Sequence, residues 1–289
     1  MKLIILLAII INSVAATTAP PPHRETITRS LQFSETNTSN ELWLKNIQGD
    51  ITVVGYDGKT VEISVEKTIE ARTQATLQQG IEEIQLATKL DSTFMLVYMD
   101  APFIDAHRKG NHLHYRSDRD YHDHKYEYRM DFTVRVPKTM SLRVSTVNEG
   151  TVTIENIRTQ RIEARNVNGA IQATDISGAT SAVTVNGDVD ISFVESPTED
   201  SRFKTINGDI TLLMPDNLSA DVSFKSMNGD FYTNFEQIDY LPAKVSSAKK
   251  KGSKRTTYRI DRSTQIRVGQ GGPKVETETL NGEVYLKHS

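Results

Sequence analysis

The chain has 289 residues, a formal charge of −3, 37% hydrophobic and 25% charged residues, and no cysteine. That length suits one large domain or two modest ones, and the charge balance excludes both wholesale disorder and the basic footprint of a dedicated nucleic-acid binder. The missing cysteines exclude a disulfide framework, a thiol nucleophile and a thiolate metal site.

Residues 1–15 read as a signal peptide, with Lys2 as a minimal positive region, an unbroken apolar run over residues 3–11, and small residues Ser13 and Ala15 at the cleavage positions. The apolar run is about half the roughly 20 residues a membrane-crossing helix needs, and no later segment is long enough, so no transmembrane segment is expected after cleavage. Residues 16–38 read as a linker, because the prolines at 20–22 lack donors and fix φ.

Residues 39–137 read as a β-rich N-terminal part. Strands are expected over 41–47, 51–56, 61–69, 84–90 and 93–99. A single helix is expected over 72–83, with Leu77, Ile81 and Ile84 on one stripe. This part could cap the exposed edge of the region C-terminal to it.

Five of the seven histidines lie between His107 and His124. Residues 112–124 are nearly palindromic about Asp118. A hairpin folded there sets His112 opposite His124, His114 opposite His122, and Lys109 opposite Glu127, with the four histidines on one face. Two His-x-His pairs so placed suit zinc, copper or nickel; the plainer reading is a solvated hairpin tip. The even-numbered face continues as Tyr126, Tyr128, Met130, Phe132, Val134 and Val136, the expected apolar side.

Residues 138–289 read as a repeat region. Asn-Gly recurs at Asn168-Gly169, Asn186-Gly187, Asn207-Gly208, Asn228-Gly229 and Asn281-Gly282, and Asn148-Glu149-Gly150 is a stretched relative. Asn and Gly tolerate positive φ, and their β-branched flanks favour strands. Alternating strands joined this way could form an antiparallel meander. A near-constant period of about 20 favours a β-solenoid, in which units bury their apolar faces only by stacking. The fold class expected is therefore all-β: a β-solenoid of roughly 20-residue coils with Asn-Gly turns, preceded by the β-rich part with one short helix. Asp188, Asp209, Asp230 and Glu283 follow the turns and would align as solvated carboxylates. The basic run at residues 249–255 reads as an exposed loop, and the glycines at 269, 271 and 272 as a turn.

The Val136-Pro137 entry, the Asn-Gly-Asp units, Leu213-Met214-Pro215 and the closing Thr279-Leu280-Asn281-Gly282-Glu283-Val284 together resemble the exported bacterial putative-adhesin domains of unknown function, also described as β-strand-repeat proteins. The resemblance spans about residues 40–287. It implies a β-solenoid-like fold in a periplasmic or cell-surface setting and implies no activity. The stretched turn at 148–150 and the histidine segment depart from the pattern.

Taken together, these features point to a non-enzymatic exported protein acting as a cell-envelope scaffold or adhesin-like surface toward an envelope protein or glycan, with no cofactor. The alternative is an envelope metal-binding or metal-sensing protein holding zinc or copper through His112, His114, His122 and His124. A carbohydrate-active β-helix enzyme is a further alternative, but no carboxylate cluster beyond the turn acids supports it.

Overall fold

A computed structural model describes residues 19–34, 40–109, 112–117, 125–242, 245–249, 256–260 and 263–288. The expected signal peptide lies outside the described residues. The fold is all-β with one short helix. In chain order, β1 (His23–Leu31), β2 (Glu41–Lys45), β3 (Ile51–Tyr56) and β4 (Val61–Ala71) lead to α1 (Gln74–Glu83), followed by β5 (Gln85–Leu90) and β6 (Phe94–Asp100). A hairpin of β7 (Ile104–Lys109) and β8 (His112–Ser117) precedes the long β9 (Tyr126–Pro137). Then come β10 (Ser141–Ser145), β11 (Val152–Arg165), β12 (Ile171–Val183), β13 (Val189–Phe193), β14 (Ser201–Lys204), β15 (Ile210–Met214), β16 (Ala220–Lys225) and β17 (Phe231–Thr233). The chain closes with β18 (Ile238–Tyr240), β19 (Val245–Lys249), β20 (Thr256–Ile260), β21 (Thr264–Val268), β22 (Lys274–Glu278) and β23 (Val284–His288).

Two of these elements correct the expected linker and helix bounds. Residues 23–31, inside the segment read as linker, form β1, which pairs antiparallel with β4 along its whole length. The prolines at 20–22 stop just before it. The helix starts two residues later than expected. Thr73 caps it by accepting a hydrogen bond from the Thr76 N–H, and Leu77 and Ile84 bury the stripe. Gly80 lets the helix lie close, since a Cβ there would stand 2.7 Å from the Ile69 side chain.

The repeat region pairs in parallel, which excludes the meander. Residues 142–145 on β10 pair with 162–165 on β11, and residues 152–155 on β11 pair with 171–174 on β12. Strands on either side of each Asn-Gly step therefore belong to two separate walls. One wall runs β6, β2, β10, the second half of β11, the second half of β12, β14, β22 and β16. The other runs β9, β3, the first half of β11, the first half of β12, β13, β15, β23 and β17. Around residues 175–179 the chain bends inside the continuous β12, with Asp175 at φ 54° and Gly178 at φ 107°.

Alternation directs one side of each strand inward, and parallel register places like on like. Ile51, Val152, Ile171, Val189, Ile210 and Val284 form one fully buried row across the second wall. Each such side chain contributes about 1.5–3 kcal/mol on burial. On the facing wall Ala164 and Ala182 leave room for Phe193 and Phe203, whose rings meet edge to face at 6.2 Å.

The stack includes β2, β3, β6 and β9, so its regular pairing begins well before residue 138. Between the paired residues Lys45 and Ile51 the chain takes six steps. Their neighbours Tyr98 and Phe132 belong to the first coil, and 34 steps separate them. The β7–β8 hairpin and the histidine-rich segment are thus an insertion at the corner where other coils bend at Asn-Gly. Tyr115 of β8 anchors the hairpin on the outer side of the first wall, donating to the Met99 carbonyl at 2.6 Å and packing edge to face on Tyr98.

The candidate interaction edge

The Asn-Gly positions line up along one edge. Parallel bridges join Asn168 to Asn186, Asn186 to Asn207, Asn207 to Asn281, and Asn281 to Asn228. Each side-chain amide donates to the amide oxygen of the previous coil: Asn168 to Asn148 at 2.9 Å, Asn186 to Asn168 at 2.8 Å, and Asn207 to Asn186, Asn281 to Asn207 and Asn228 to Asn281 at 2.7 Å. Stacked amides use both their donor and acceptor ends, so each asparagine extends the row in both directions. Gly187 and Gly208 sit under the preceding coil: a Cβ would lie 2.3 and 2.2 Å from the carbonyl oxygens of Gly169 and Gly187.

A second column, inside the first, is one that sequence reasoning missed. Two residues before each asparagine stands a side chain that donates to the glycine carbonyl of the preceding coil. The bonds run from Asn166 to Gly150 at 2.8 Å, Thr184 to Gly169 at 2.9 Å, Thr205 to Gly187 at 2.8 Å and Thr279 to Gly208 at 3.1 Å. Thr146 makes the same bond to Gly49 at 3.0 Å, and Asn46, at the start of the column, donates to the Met130 carbonyl of the preceding coil at 2.8 Å. The signal is the recurring Thr before Val-Asn-Gly or Ile-Asn-Gly. It stays hidden because Thr also reads as an ordinary strand former.

The residue between these two columns is apolar and faces outward. Ile47, Val147, Val167, Val185, Ile206, Leu280 and Met227 occupy successive coils, half-buried or exposed, with Met227 75% exposed at the end. Strand spacing of about 4.8 Å makes this stripe roughly 29 Å long.

The acids after the turns act differently from free ligands. Asp188 Oδ1 accepts from the Asp209 N–H at 2.9 Å, and Asp209 Oδ1 from the Glu283 N–H at 2.8 Å. Asp50 and Asp131 do the same lower in the stack. These carboxylates tie coils together. Burial, and then the neighbouring Asp188, push the Asp190 carboxyl above its usual range. A hydrogen bond to Glu283 pushes the Tyr285 phenol up to about 12.

Of the histidines read as metal ligands, His112 and His114 lie on β8, while His122 and His124 lie outside the described residues. β8 pairs with β7, setting His107 opposite His114 and Lys109 opposite His112. Glu127 faces Glu70 and Lys109 faces His112 of β8, so the expected Lys109–Glu127 pairing is corrected. His107 Nδ1 lies 2.8 Å from Asp105 Oδ1. Among the described residues no three His, Asp or Glu side chains converge as a metal site. The apolar side of β9 is as expected, with Tyr126, Met130, Phe132, Val134 and Val136 buried. Lys249 ends β19, and the rest of the basic run, residues 250–255, lies outside the described residues between β19 and β20. Among the described residues no helix is long and apolar enough to cross a membrane.

Parallel coils tied by an Asn ladder are the setting in which the family comparison applies. Residues 131–265 match the Toastrack DUF4097 family model. The Toastrack match starts within β9 and ends within β21, so it covers the repeat from its entry to the strand before the last coil. It bears out the resemblance to putative-adhesin domains of unknown function. No curated protein matches the chain. Among solved structures, the chain is similar to a putative cell adhesion protein from Clostridium sporogenes, with 8% identity over 93% of this chain and 100% of that one, at a TM-score of 0.45. It is also similar to a putative adhesin from Parabacteroides merdae, with 8% identity over 93% and 96% of the chains and a TM-score of 0.26. A putative lipid binding protein from Parabacteroides distasonis shares 9% identity over 91% and 96%, also at 0.26.

Proposed function

We propose that the stacked Toastrack region is a β-solenoid with Asn-Gly turns, and that it serves as a non-enzymatic, exported, adhesin-like surface in the cell envelope. The observation that carries this reading is the straight aliphatic stripe from Ile47 to Met227, held beside the Asn ladder on a rigid edge. Single exposed apolar residues need no explanation, whereas an aligned row of seven presents a continuous contact line. A partner is gripped by that line, and the ladder's amides offer it hydrogen bonds at a fixed interval of about 4.8 Å. The test is binding of the purified chain to isolated bacterial cell envelopes. Val167→Asp, Val185→Asp and Ile206→Asp together should abolish binding while the melting curve stays cooperative. Undiminished binding removes the edge, and no binding by the wild-type chain removes the adhesin reading.

A second reading, envelope metal binding, keeps His112, His114, His122 and His124 as zinc or copper ligands. The register that places His107 opposite His114 favours it, because it adds a neighbouring imidazole-bearing position to the set. Metal analysis of the purified chain beside a variant with all four changed to alanine decides it. Stoichiometric metal lost in the variant supports the site, and metal-free wild type after zinc or copper loading rejects it.

A further inference from the structure

The last coil is out of sequence order. Twenty-one residues separate Asn186 from Asn207, and the two are bridged neighbours. The same interval separates Asn207 from Asn228, yet these are not neighbours: Asn281 stands between them, bonded to both. The strands agree. β22 lies between β14 and β16, and β23 between β15 and β17. The end of the chain is therefore wedged into a slot between two coils made earlier, with Val275, Thr277, Val284 and Leu286 buried there.

The wedge hangs on a short hinge. β21 pairs antiparallel with β16 and β22 pairs parallel with it, so residues 269–273 cross the end of β16 from one edge to the other. Gly269, Gly271 and Gly272 make that crossing at φ of 60°, 74° and 150°. The Gln270 N–H donates to Ser219 Oγ at 3.0 Å and the Gly271 N–H to the Val268 carbonyl at 3.2 Å.

We propose that this slot also accepts the last coil of a second copy of the same chain, so that the protein self-associates by reciprocal exchange of β22–β23. The slot and the coil are the same surfaces whichever molecule supplies the coil. Exchange therefore keeps every buried row and both Asn281 bonds, and changes only the hinge. Gly269, Gly271 and Gly272 adopt the positive φ of the crossing and an extended hinge about equally readily, so straightening residues 269–273 costs little. The closed form wins when chains are dilute because its coil is tethered at high effective concentration, and crowding chains together shifts the balance to the dimer.

The absence of native cysteine makes the test clean. Leu213 on β15 and Lys287 on β23 are direct cross-strand partners. Adjacent strands bring Cα atoms to about 5 Å, inside the disulfide range. Full-length Leu213→Cys and Lys287→Cys variants, tagged differently, are mixed, unfolded, refolded at high concentration and oxidised. A disulfide-linked heterodimer on a non-reducing gel, of two chain masses by light scattering, is expected. The proposal is overturned if the Leu213→Cys/Lys287→Cys double variant closes within one chain while the mixed single variants never cross-link. It is equally overturned if the double variant forms no disulfide within or between chains, since β23 then does not lie beside β15. Deleting Gly271 and Gly272 provides an independent readout. The shortened hinge cannot recross β16, so the mass should shift from one chain to two, and a folded monomer of that variant also rejects exchange.

Discussion

The two ends of the stack are finished in opposite ways. Beside β3 and β9 the strands change direction. β4 runs antiparallel to β9 and β1 antiparallel to β4, and on the other wall β5 runs antiparallel to β6. A buried lysine fastens this end. Lys67 points inward in line with Val61, Ile63, Val65 and Ile69, and its ammonium donates to the Ile81 carbonyl of α1 and pairs with Glu25 of β1, both at 2.8 Å. At the far end β16 is covered by the antiparallel β21, but β17 pairs with β23 alone among the described residues. There Met227 and Tyr232 are exposed, and the ion pairs of Arg267 with Asp221 and of Lys225 with Glu278 lie part-exposed. A parallel stack has no intrinsic stop, so an end must be made by reversing strands and covering their edges. One end does this on both walls and the other on one.

The largest expected effect separates the interior from the open end. Gly187→Ala drives a methyl into the Gly169 carbonyl with coils packed on both sides, so it should destabilise by about 3 kcal/mol. Gly229→Ala meets the Gly282 carbonyl just as closely, but its coil is the last and can lift away, so about 1 kcal/mol is expected. Chemical denaturation of both variants checks this, and equal losses would mean that the terminal coil is as clamped as the interior.

How much of this contrast is legible in the sequence depends on whether the cause is local. The Asn-Gly period, the strands over 51–56 and the helix near 72–83 follow from turn chemistry and alternation within a few residues. The wedge of β22–β23 does not. The 53-residue interval before Asn281 shows an insertion, but the coil beside which the chain returns is fixed by distant pairing with β14 and β15. β1 is hidden for a similar reason. His23 to Leu31 alternates polar residues on an edge strand and takes its register entirely from β4. Lys67 breaks the apolar alternation of β4, and nothing near it in sequence announces Glu25 as its partner. The histidine segment is legible as a unit but not in its pairing, because β7, with Ile104 and Ala106, gives a weaker strand pattern than the palindrome does.

Glu25→Ala tests the fastened end. It leaves a buried ammonium with one carbonyl, and because Glu25 is itself about two-fifths exposed, the expected loss is about 2 kcal/mol rather than the full cost of breaking a buried pair. Lys67→Met should be nearly neutral or stabilising, since it removes the buried charge instead of stranding it. The hydrogen bond from Lys67 holds the Glu25 carboxyl below its usual range against the opposing effect of burial. A carboxyl lowered in the folded state contributes stability above its unfolded pKa of about 4.3, lost as the pH falls through the lower folded value. Wild type should therefore lose stability below about pH 4 more steeply than Glu25→Ala. Asp221→Ala at the other end should cost at most about 1 kcal/mol, as an exposed pair does.

The smallest effect is the most direct probe of the ladder. Asn186 both donates to Asn168 and accepts from Asn207, whereas Asn228 donates to Asn281 at the end of the row. Asn186→Ala removes two side-chain bonds and leaves Asn207 without its acceptor and Asn168 without its donor. Asn228→Ala removes one bond and strands only the Asn281 oxygen, which water reaches easily. With about 0.5 kcal/mol for each exposed bond, the losses should stand near 1 and 0.5 kcal/mol. Asn186→Asp sharpens the contrast: a carboxylate still accepts from Asn207 but sets an oxygen against the Asn168 oxygen. It should be worse than alanine at neutral pH and recover as the carboxyl protonates and regains a donor. If Asp and Ala were equal at every pH, the amides would be solvated side by side rather than bonded in a row, and the fixed interval of the interaction edge would rest on the backbone alone.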